Sequence, residues 1–379
     1  MPTTPRIAII GAGPSGLTCA RILQQHRIPV TVYDLDASHT ARPQGGTLDM
    51  HADSGQVALR AAGLDEQFRQ LSRPEGQQMR LLDRDGTVLF DDAPGAGQNY
   101  HPEIDRGQLR DLLLDSLDPG AVRWGHKLTT VAQLDDGVHR LHFADGTSTD
   151  ADLIVGGDGA WSRVRPLLSD AQPVYTGVTF VEAGLDQANA RHPELASLVG
   201  DGTMMALADN KGLIAQRNSS NHVRTYIGVR IDQHWHQHID LDLTDPAAVR
   251  DTLLGYFTGW DPTLLQLITD SDSGYINRPL FALPVPHTWT HTPGLTLLGD
   301  AAHLMSPFSG MGANLAMLDG AELAQAIATH ATLDAAATAY EKVMLARSAE
   351  AAAGAAEGIA SAFCPDSTQR AVAHMTQHH

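Results

Sequence analysis

Apolar residues at the start of the chain follow a strand–helix–strand pattern. Ile7–Ile10 and Val30–Tyr33 are short, β-branched runs that suit buried strands. Between them, Leu17, Ala20 and Leu23 recur at the spacing of one helix face. This order predicts the βαβ opening of a parallel, Rossmann-type sheet.

The same kind of buried strand returns twice, much later in the chain. Ala151–Val155 and Gly294–Leu298 are apolar, and glycines and an aspartate follow each of them. A helix is expected to start near Gly312, and the alanine-rich stretch from Leu333 to Ala362 predicts a long C-terminal helix. The nucleotide-binding sheet therefore draws on at least three separate segments.

Residues 174–285 have a different hydrophobic pattern, with short runs of alternating apolar and polar residues that predict a second sheet. The predicted strands are Thr179–Leu185, Met204–Ala208, Leu213–Arg217 and Val223–Ile231. Two helices are predicted after them, Pro246–Phe257 and Leu264–Ile268. Upstream of this region, Met79–Leu82 and Val88–Phe90 flank an Asp-Gly turn and predict a hairpin, and Arg106–Leu117 predicts a helix.

These patterns predict an α/β fold in which a Rossmann-like domain is interleaved with a β-sheet substrate domain. The expected boundaries are 1–173 for the first part of the nucleotide domain with a β-rich excursion, 174–285 for the substrate domain and 286–332 for the last nucleotide segment. Residues 333–379 are expected to form a C-terminal helical brace.

Charge and cysteine content narrow the possible partners. The 379 residues carry 26 basic and 44 acidic side chains, a formal net charge of −18, which argues against nucleic acid or an anionic membrane as partner. Cys19 and Cys364 are isolated, so neither a disulfide framework nor a zinc site is indicated. The first strand leaves no room for a signal peptide, and we expect a soluble, cytoplasmic monomer.

A glycine motif occupies the turn after the first strand. Gly11, Gly13 and Gly16 form G-x-G-x-x-G, and Asp34 ends the second strand. The first glycine allows the tight turn, the second lets a pyrophosphate approach the backbone, and the third lets helix and strand pack closely. Asp34 is placed to accept a hydrogen bond from a ribose hydroxyl. The motif predicts a dinucleotide without distinguishing NAD, NADP and FAD.

Two further motifs complete a recognisable set. Asp158 lies in Gly-Asp-Gly after the later buried strand, and Asp300 lies in Gly-Asp-Ala-Ala-His. In order and spacing the three motifs resemble those of the class A flavoprotein monooxygenases, the para-hydroxybenzoate hydroxylase-like fold, over essentially the whole chain. The resemblance implies an FAD-binding domain. Asp105-Arg106-x-x-Leu109-Arg110 is similar to the arginine-containing FAD helix of that family.

Three stretches resemble a narrower group, the tetracycline-inactivating flavin monooxygenases of the TetX type. They are GGTLDMH at 45–51, GYFTGWD at 255–261 and GDAAHLM at 299–305. By this resemblance Arg42 is placed for NADPH. The implied flavin contacts are Asp49, Arg106 and Asp300, of which Asp300 would accept from a ribityl hydroxyl.

The glycine-rich segment after the third motif suits a flat ring. Gly310, Gly312 and Asn314 stand at a predicted helix start, where backbone N–H groups can approach a flavin and stabilise negative charge. By the resemblance, Pro307 and Phe308 lie beside the isoalloxazine, at the substrate cavity. It also implies that the flavin, reduced by NADPH, captures O₂ as a C4a-hydroperoxide and delivers one oxygen to an electron-rich carbon, with no catalytic protein nucleophile.

The candidate substrate residues depart from the TetX pattern. Glu182 and Thr203 stand where that group has a glutamine and an arginine, and Tyr226 stands where it has a histidine. Met205, two residues after Thr203, joins this candidate set. Glu182 in a pocket is expected to disfavour an anionic substrate edge and to serve as a proton acceptor.

The sequence thus predicts an FAD-dependent, NADPH-consuming monooxygenase that hydroxylates a polycyclic enol or phenol, with tetracyclines as the first candidates. A biosynthetic hydroxylase of another aromatic polyketide and a ligand-sequestering flavoprotein that does not oxygenate remain open alternatives. A flavin halogenase is disfavoured because no W-x-W-x-I-P segment is present. His234, His236 and His238 alternate on a polar segment typical of a solvated surface, so no metal is expected.

Overall fold

The computed structural model describes residues 5–42, 45–95, 100–134 and 137–378. The strands are β1 (Ile7–Ile10), β2 (Val30–Tyr33), β3 (Thr47–Asp49), β4 (Met79–Leu82), β5 (Val88–Asp92), β6 (Glu103–Asp105), β7 (Val122–Arg123), β8 (Leu128–Gln133), β9 (His139–Phe143), β10 (Ser148–Ala151), β11 (Leu153–Gly156), β12 (Val174–Leu185), β13 (Thr203–Ala208), β14 (Lys211–Arg217), β15 (Val223–Arg230), β16 (Ile276–Ala282) and β17 (Leu295–Leu297).

Helices alternate with these strands at both ends of the chain. They are α1 (Pro14–Gln25), α2 (Gly55–Ala61), α3 (Asp65–Leu71), α4 (Arg106–Asp115), α5 (Ala188–Arg191), α6 (Pro193–Val199), α7 (Trp235–His238), α8 (Pro246–Tyr256), α9 (Pro262–Thr269), α10 (Asp300–His303), α11 (Met311–Thr329), α12 (Leu333–Ala362) and α13 (Ser367–His378). In the described ranges, no helix combines the length and the apolar character needed to cross a membrane.

The predicted α/β fold is confirmed, and the chain divides into two compact units. Unit 1 comprises residues 1–72, 106–174 and 281–355, and unit 2 comprises residues 73–105, 175–280 and 356–379. This division differs from the expected boundaries at residues 73–105, at residues 281–285, which belong to unit 1, and in the expected brace 333–379, which is divided between the units after residue 355. Residues 73–105 join the second unit because β4 pairs in parallel with β13, and residues 356–379 join it because α13 packs on that sheet.

Unit 1 is built on a parallel sheet in the order β17-β11-β1-β2-β7. Ile9, Leu17 and Leu23 are fully buried between this sheet and α1, each contributing about 1.5–3 kcal/mol of hydrophobic stabilisation. Helix α11 packs directly on α1. A Cβ atom at Gly320 would lie 2.3 Å from the Ser15 carbonyl oxygen, so the close approach of these two helices requires glycine there.

Unit 2 is built on a mixed seven-stranded sheet in the order β16-β12-β15-β14-β13-β4-β5. One face of it carries alternate apolar residues such as Val181, Ala183 and Leu213, which form a common core with α6, α8 and α9. Both longer helices are capped by aspartates. Asp245 accepts from the amides of α8, and Asp261 accepts from the Thr263 amide of α9 at 2.8 Å.

Candidate functional site

The turn after β1 forms a constrained loop at the carboxyl end of the parallel sheet. Gly11 has a φ of +105°, and its amide donates to the Tyr33 carbonyl at 2.8 Å. A Cβ atom at Gly11 would lie 2.3 Å from the Gly157 carbonyl oxygen, and one at Gly16 would lie 2.3 Å from the Gly11 carbonyl oxygen. These two glycines therefore serve the fold of the loop itself.

Gly13 differs from its neighbours because it faces open space. No heavy atom lies within 4 Å of a Cβ built there, and Gly13 caps the N-terminus of α1 without a side-chain hydrogen bond. The first turn of a helix presents unpaired N–H groups and the positive end of its dipole. This combination suits the close approach of a pyrophosphate to the backbone.

Asp34 is held in place at the end of β2. Its carboxylate is buried and accepts from the amides of Ala12 at 2.6 Å and Asp36 at 2.8 Å. Each oxygen keeps a second lone pair, so the carboxylate can still accept from a ribose hydroxyl. Arg110 supports the same loop from α4, since its buried guanidinium donates to the Ala12 carbonyl at 3.2 Å.

The two arginines predicted at the cofactor have different surroundings. Arg42 is 64% exposed and forms an ion pair with Asp36 at 3.3 Å. Arg106 begins α4 with an exposed side chain, and its amide donates to the Gly46 carbonyl at 3.0 Å. Both are compatible with a contact to a bound anion. The Arg42 guanidinium would then bind the anion and the Asp36 carboxylate at the same time.

Asp158 is engaged by its own loop. Its carboxylate accepts from the Ser162 hydroxyl and from the Arg163 amide, both at 2.6 Å, and burial raises its pKa. Arg165 follows in the same motif and is 1% exposed, with its guanidinium donating to the carbonyls of Ala160 at 2.7 Å and Ala301 at 3.1 Å. The motif therefore ties the Asp158 loop to α10, and Arg165 was not among the predicted site residues.

Unlike the carboxylate of Asp158, that of Asp300 is not engaged by hydrogen bonds from its own loop. Asp300 is exposed at the first position of α10, directly after β17, and nothing in the described ranges donates to its carboxylate. Such a carboxylate at the carboxyl end of a parallel strand is free to accept from a ligand hydroxyl. This agrees with the predicted contact to a ribityl hydroxyl.

Behind Asp300 lies a buried ionic network that the sequence analysis did not identify. Asp319, fully buried on α11, accepts from His303 Nε2 at 2.6 Å, from the Gly299 amide at 3.0 Å and from Arg347 at 2.9 Å. Burial lowers the pKa of His303, but the charge and the hydrogen bond of Asp319, together with the charge of Asp300, outweigh burial, and the pKa is raised. Because α11 and α12 supply these partners, the network fixes the Gly299–His303 turn from behind. His303 therefore has a structural, hydrogen-bonding role in this turn.

The start of α11 is joined to the segment around β3 by one side chain. Asn314 is fully buried; its amide group donates to the Asp49 carbonyl at 2.7 Å, and its oxygen accepts from the His51 amide at 2.9 Å. Asp49 in turn pairs with His51 at 2.9 Å. Asn314 therefore positions Asp49 beside Gly310, where a Cβ would lie 3.0 Å from the Asp49 carboxylate.

The residues of unit 1 fit FAD. Open space at Gly13 and at Gly312, where again no heavy atom lies within 4 Å of a built Cβ, allows a ligand to reach two helix N-termini. Pro307 is exposed and Phe308 half-buried in the turn before α11. Together with exposed Asp300, these positions supply what an extended, hydroxyl-bearing dinucleotide requires.

The four candidate substrate residues share one face of the unit 2 sheet. Glu182, Tyr226, Ile214 and Met205 pair directly across four adjacent strands, so their side chains point to the same side. We call this the Glu182 face. Thr203 belongs to it because it lies two residues from Met205. These four candidates are thus brought together, on the side opposite the apolar core, whereas the other two candidates, Pro307 and Phe308, belong to unit 1.

The expectation that Glu182 disfavours an anion is corrected by its contacts. One carboxylate oxygen of Glu182 pairs with Arg224, and the other pairs with Arg278 at 3.1 Å. Two guanidinium groups against one carboxylate leave a formal excess of one positive charge. Since β15 and β16 flank β12, neither arginine was apparent from the strand that carries Glu182.

In the described part of the chain, no group of three or more His, Cys, Asp or Glu could hold a metal ion. His234, His236 and His238 fall at or within the short helix α7, and His238 forms an ion pair with Asp232 at 3.8 Å.

The exposed Asp300 carboxylate provides a direct test of the cofactor assignment. Asp300→Ala is expected to weaken FAD binding about 10–100-fold, because a hydrogen bond to a charged acceptor contributes about 1.5–3 kcal/mol. Fluorescence titration of the apoprotein with FAD measures this change. Asp118→Asn, an exposed aspartate after α4, serves as the control and should bind FAD like the wild type. Wild-type affinity in Asp300→Ala would refute the assigned contact.

Comparison with known proteins agrees with this geometry. A family model described as FAD binding domain matches residues 4–355. Monooxygenase penA of Penicillium thymicola is 35% identical over 366 residues, covering 84% of each chain. Klebsiella pneumoniae HpxO, solved with FAD and uric acid, superposes with a TM-score of 0.82 at 21% identity, covering 100% of this chain and 93% of HpxO.

The tetracycline destructase Tet(55) shares the same fold. It superposes with a TM-score of 0.76 at 21% identity, covering 100% of this chain and 95% of Tet(55). The likeness to Tet(55) is therefore no greater than the likeness to HpxO. These structural similarities establish the class A flavin monooxygenase fold and do not single out the TetX type.

Proposed function

The chain belongs to the FAD binding domain family and is an FAD-dependent monooxygenase. We propose that it consumes NADPH to hydroxylate a polycyclic compound bearing an enol or phenol. Tetracyclines are one candidate within this class. The observation that carries the proposal is the arrangement of open glycines, helix N-termini and the exposed Asp300 carboxylate in unit 1.

The residues of this chain have distinct tasks in that reaction. Gly13 admits the pyrophosphate to the α1 N-terminus, Asp34 accepts from the adenosine ribose, and Asp300 accepts from the ribityl chain. The N-terminus of α11 offers backbone N–H groups and a positive dipole end to the flavin ring through Gly312. Bound FAD would supply the redox chemistry and the activation of O₂.

The Glu182 face supports the assignment of the substrate class. Tyr226 and the polarisable Met205 are half-buried there and suit a flat ring system. The buried ring of Phe180 supports Tyr226, with ring centroids 5.5 Å apart. HpxO was solved with uric acid, and Tet(55) is named a tetracycline destructase. Uric acid and the tetracyclines are both fused-ring, ionisable compounds. We propose that this chain takes a substrate of the same general kind.

The choice of reductant rests on Arg42. Its exposed guanidinium lies on the loop after β2, next to Asp36, and could meet the phosphate of a transiently bound NADPH. Arg42→Ala is expected to raise the KM for NADPH about tenfold or more while leaving the FAD content unchanged. Steady-state kinetics with NADPH and NADH checks this, and an unchanged KM for NADPH would remove Arg42 from the proposal.

A substrate panel tests the proposed function. The FAD-loaded protein is mixed with NADPH and, in separate reactions, a tetracycline, a dihydroxyanthraquinone and phenol. Faster NADPH oxidation with a polycyclic compound, and a product heavier by one oxygen atom, are the expected results. Protein that cannot be loaded with FAD, or that leaves every polycyclic compound unchanged in mass, would contradict the proposal.

A biosynthetic hydroxylase of another aromatic polyketide is the second candidate. The substitution of Glu182 and Thr203 for the glutamine and arginine of the TetX pattern favours it. The same panel separates the two, because this candidate predicts turnover of the anthraquinone in preference to the tetracycline.

A further inference from the structure

We propose that Arg278 and Arg224, oriented by Glu182, form a binding site for an anionic oxygen edge of a planar substrate, either a carboxylate or an ionised enol or phenol. This inference rests on the proposed function and names the ionic form of the substrate that the sheet of unit 2 selects. Neither arginine belongs to the site predicted from the sequence.

The ion pairs define the geometry of this site. Glu182 is only 12% exposed and uses each carboxylate oxygen for a different arginine, Arg224 on β15 and Arg278 on β16. A carboxylate shared in this way restricts the rotamers of both guanidinium groups. Glu182 is therefore a positioning residue, and with both oxygens engaged it is poorly placed to accept a proton from substrate.

Arg278 retains donors that a ligand can reach. It is 56% exposed and is joined to Glu182 through Nε, so its terminal N–H groups have no other partner in the described ranges. Arg224 is 20% exposed and is joined to Glu182 through Nη1, so it contributes mainly its positive charge. A guanidinium with free donors matches the planar geometry of a carboxylate or an enolate system.

The surrounding side chains fit a planar ring next to that charge. Tyr226 is half-buried on the Glu182 face beside the ion pairs, and the buried ring of Phe180 supports it, with ring centroids 5.5 Å apart. Gln216 lies on the same face, opposite Arg224, and donates to Thr203 at 3.3 Å. An aromatic platform with a cationic edge would recognise a flat molecule through its ring and its anionic oxygens together.

A matched pair of probes tests this site by binding alone. A hydroxynaphthoate and the corresponding hydroxynaphthamide differ only in the charge of one edge. Isothermal titration of the FAD-loaded protein, without NADPH, measures the Kd of each. The wild type is expected to bind the naphthoate about tenfold or more tightly than the amide.

Arg278→Gln is expected to weaken naphthoate binding about 10–100-fold while changing amide binding less than about threefold. Arg250→Gln is the matched control. Arg250 on α8 has a side chain that is 40% exposed and pairs with its neighbour Asp251, and the variant should bind both probes like the wild type. Thermal unfolding of each variant establishes that the fold is retained.

Two outcomes would overturn the inference. The first is that the wild type shows no preference for the naphthoate over the amide, or binds neither probe. The second is that Arg278→Gln binds both probes with wild-type affinity. These titrations measure binding without turnover. A negative result therefore does not contradict the proposed function, provided that the protein still loads FAD and transfers oxygen to a substrate. Failure of the proposed function would instead be seen in the substrate panel.

Discussion

Asp319→Ala is expected to lower the free energy of unfolding by about 3–5 kcal/mol, the usual cost of removing one partner from a buried ion pair. Asp319 is fully buried and accepts from His303, Arg347 and the Gly299 amide. Without it, the buried His303 ring and the Gly299 amide lose their acceptor. Arg347 keeps Glu322 as a partner. Urea unfolding of the FAD-free protein measures this loss. An m-value equal to that of the wild type would show that both proteins expose the same surface on unfolding.

Asp366→Ala is the control for this variant. Asp366 stands directly before α13 and pairs with Arg370 one turn along it, with both side chains 55% exposed, so its removal should cost no more than about 1 kcal/mol. If Asp319→Ala is no more destabilising than Asp366→Ala, the network behind α10 does not stabilise the fold as described.

The effect of Asp319→Ala should also depend on pH through His303. Because the folded protein raises the pKa of His303 above its unfolded value, the stabilisation from this histidine is fully present below about pH 6.5 and is lost as the pH rises through the folded pKa. The stability difference between wild type and variant should therefore shrink toward alkaline pH. A difference that grows with pH would contradict a charged His303 paired with Asp319.

Gly11→Ala is expected to destabilise the protein by about 2–6 kcal/mol and to abolish FAD loading. The side chain would be forced into a φ of +105°, which costs about 1–3 kcal/mol. Its Cβ would also lie 2.3 Å from the Gly157 carbonyl oxygen, so the ends of β1 and β11 must move apart at a similar overpacking cost. Urea unfolding and the bound-flavin absorbance after purification measure the two effects.

Gly13→Ala separates the fold of the loop from its cofactor contact. Its φ of −86° accepts alanine and its Cβ meets nothing within 4 Å, so stability should change by less than about 0.5 kcal/mol. FAD affinity should nevertheless fall about tenfold or more, because the methyl group would stand where the pyrophosphate approaches. Equal FAD affinity in Gly13→Ala and wild type would place the pyrophosphate elsewhere.

The elements that the sequence predicted well are those with strong local signals. β1, β2, the hairpin of β4 and β5, α8 and α12 agree closely with their predicted ranges because apolar periodicity and turn residues mark them clearly. β8 and β16 were not predicted, since their residues, such as Thr129 and Arg278, alternate without a clear apolar set. The assignment of residues 73–105 to unit 2 depends on long-range pairing of β4 with β13, which local patterns do not encode.

Site residues that lie in local sequence motifs were predictable, whereas contacts between residues on different strands were not. Gly13, Asp34 and Asp300 lie in contiguous motifs, and the structure gives them surroundings that suit their predicted contacts. The partners of Glu182 come from strands more than forty residues away, so its charge environment was misjudged. Arg347 was missed because it reaches Asp319 from another helix.

Oxygen transfer from O₂ to a polycyclic substrate is the central claim, and isotope labelling tests it most directly. The FAD-loaded protein, NADPH and a dihydroxyanthraquinone or tetracycline are incubated under ¹⁸O₂, and the product is analysed by mass spectrometry. The product should carry one ¹⁸O atom, and one NADPH should be consumed for each product molecule. NADPH oxidation that yields only hydrogen peroxide, with every substrate unlabelled, would contradict this claim.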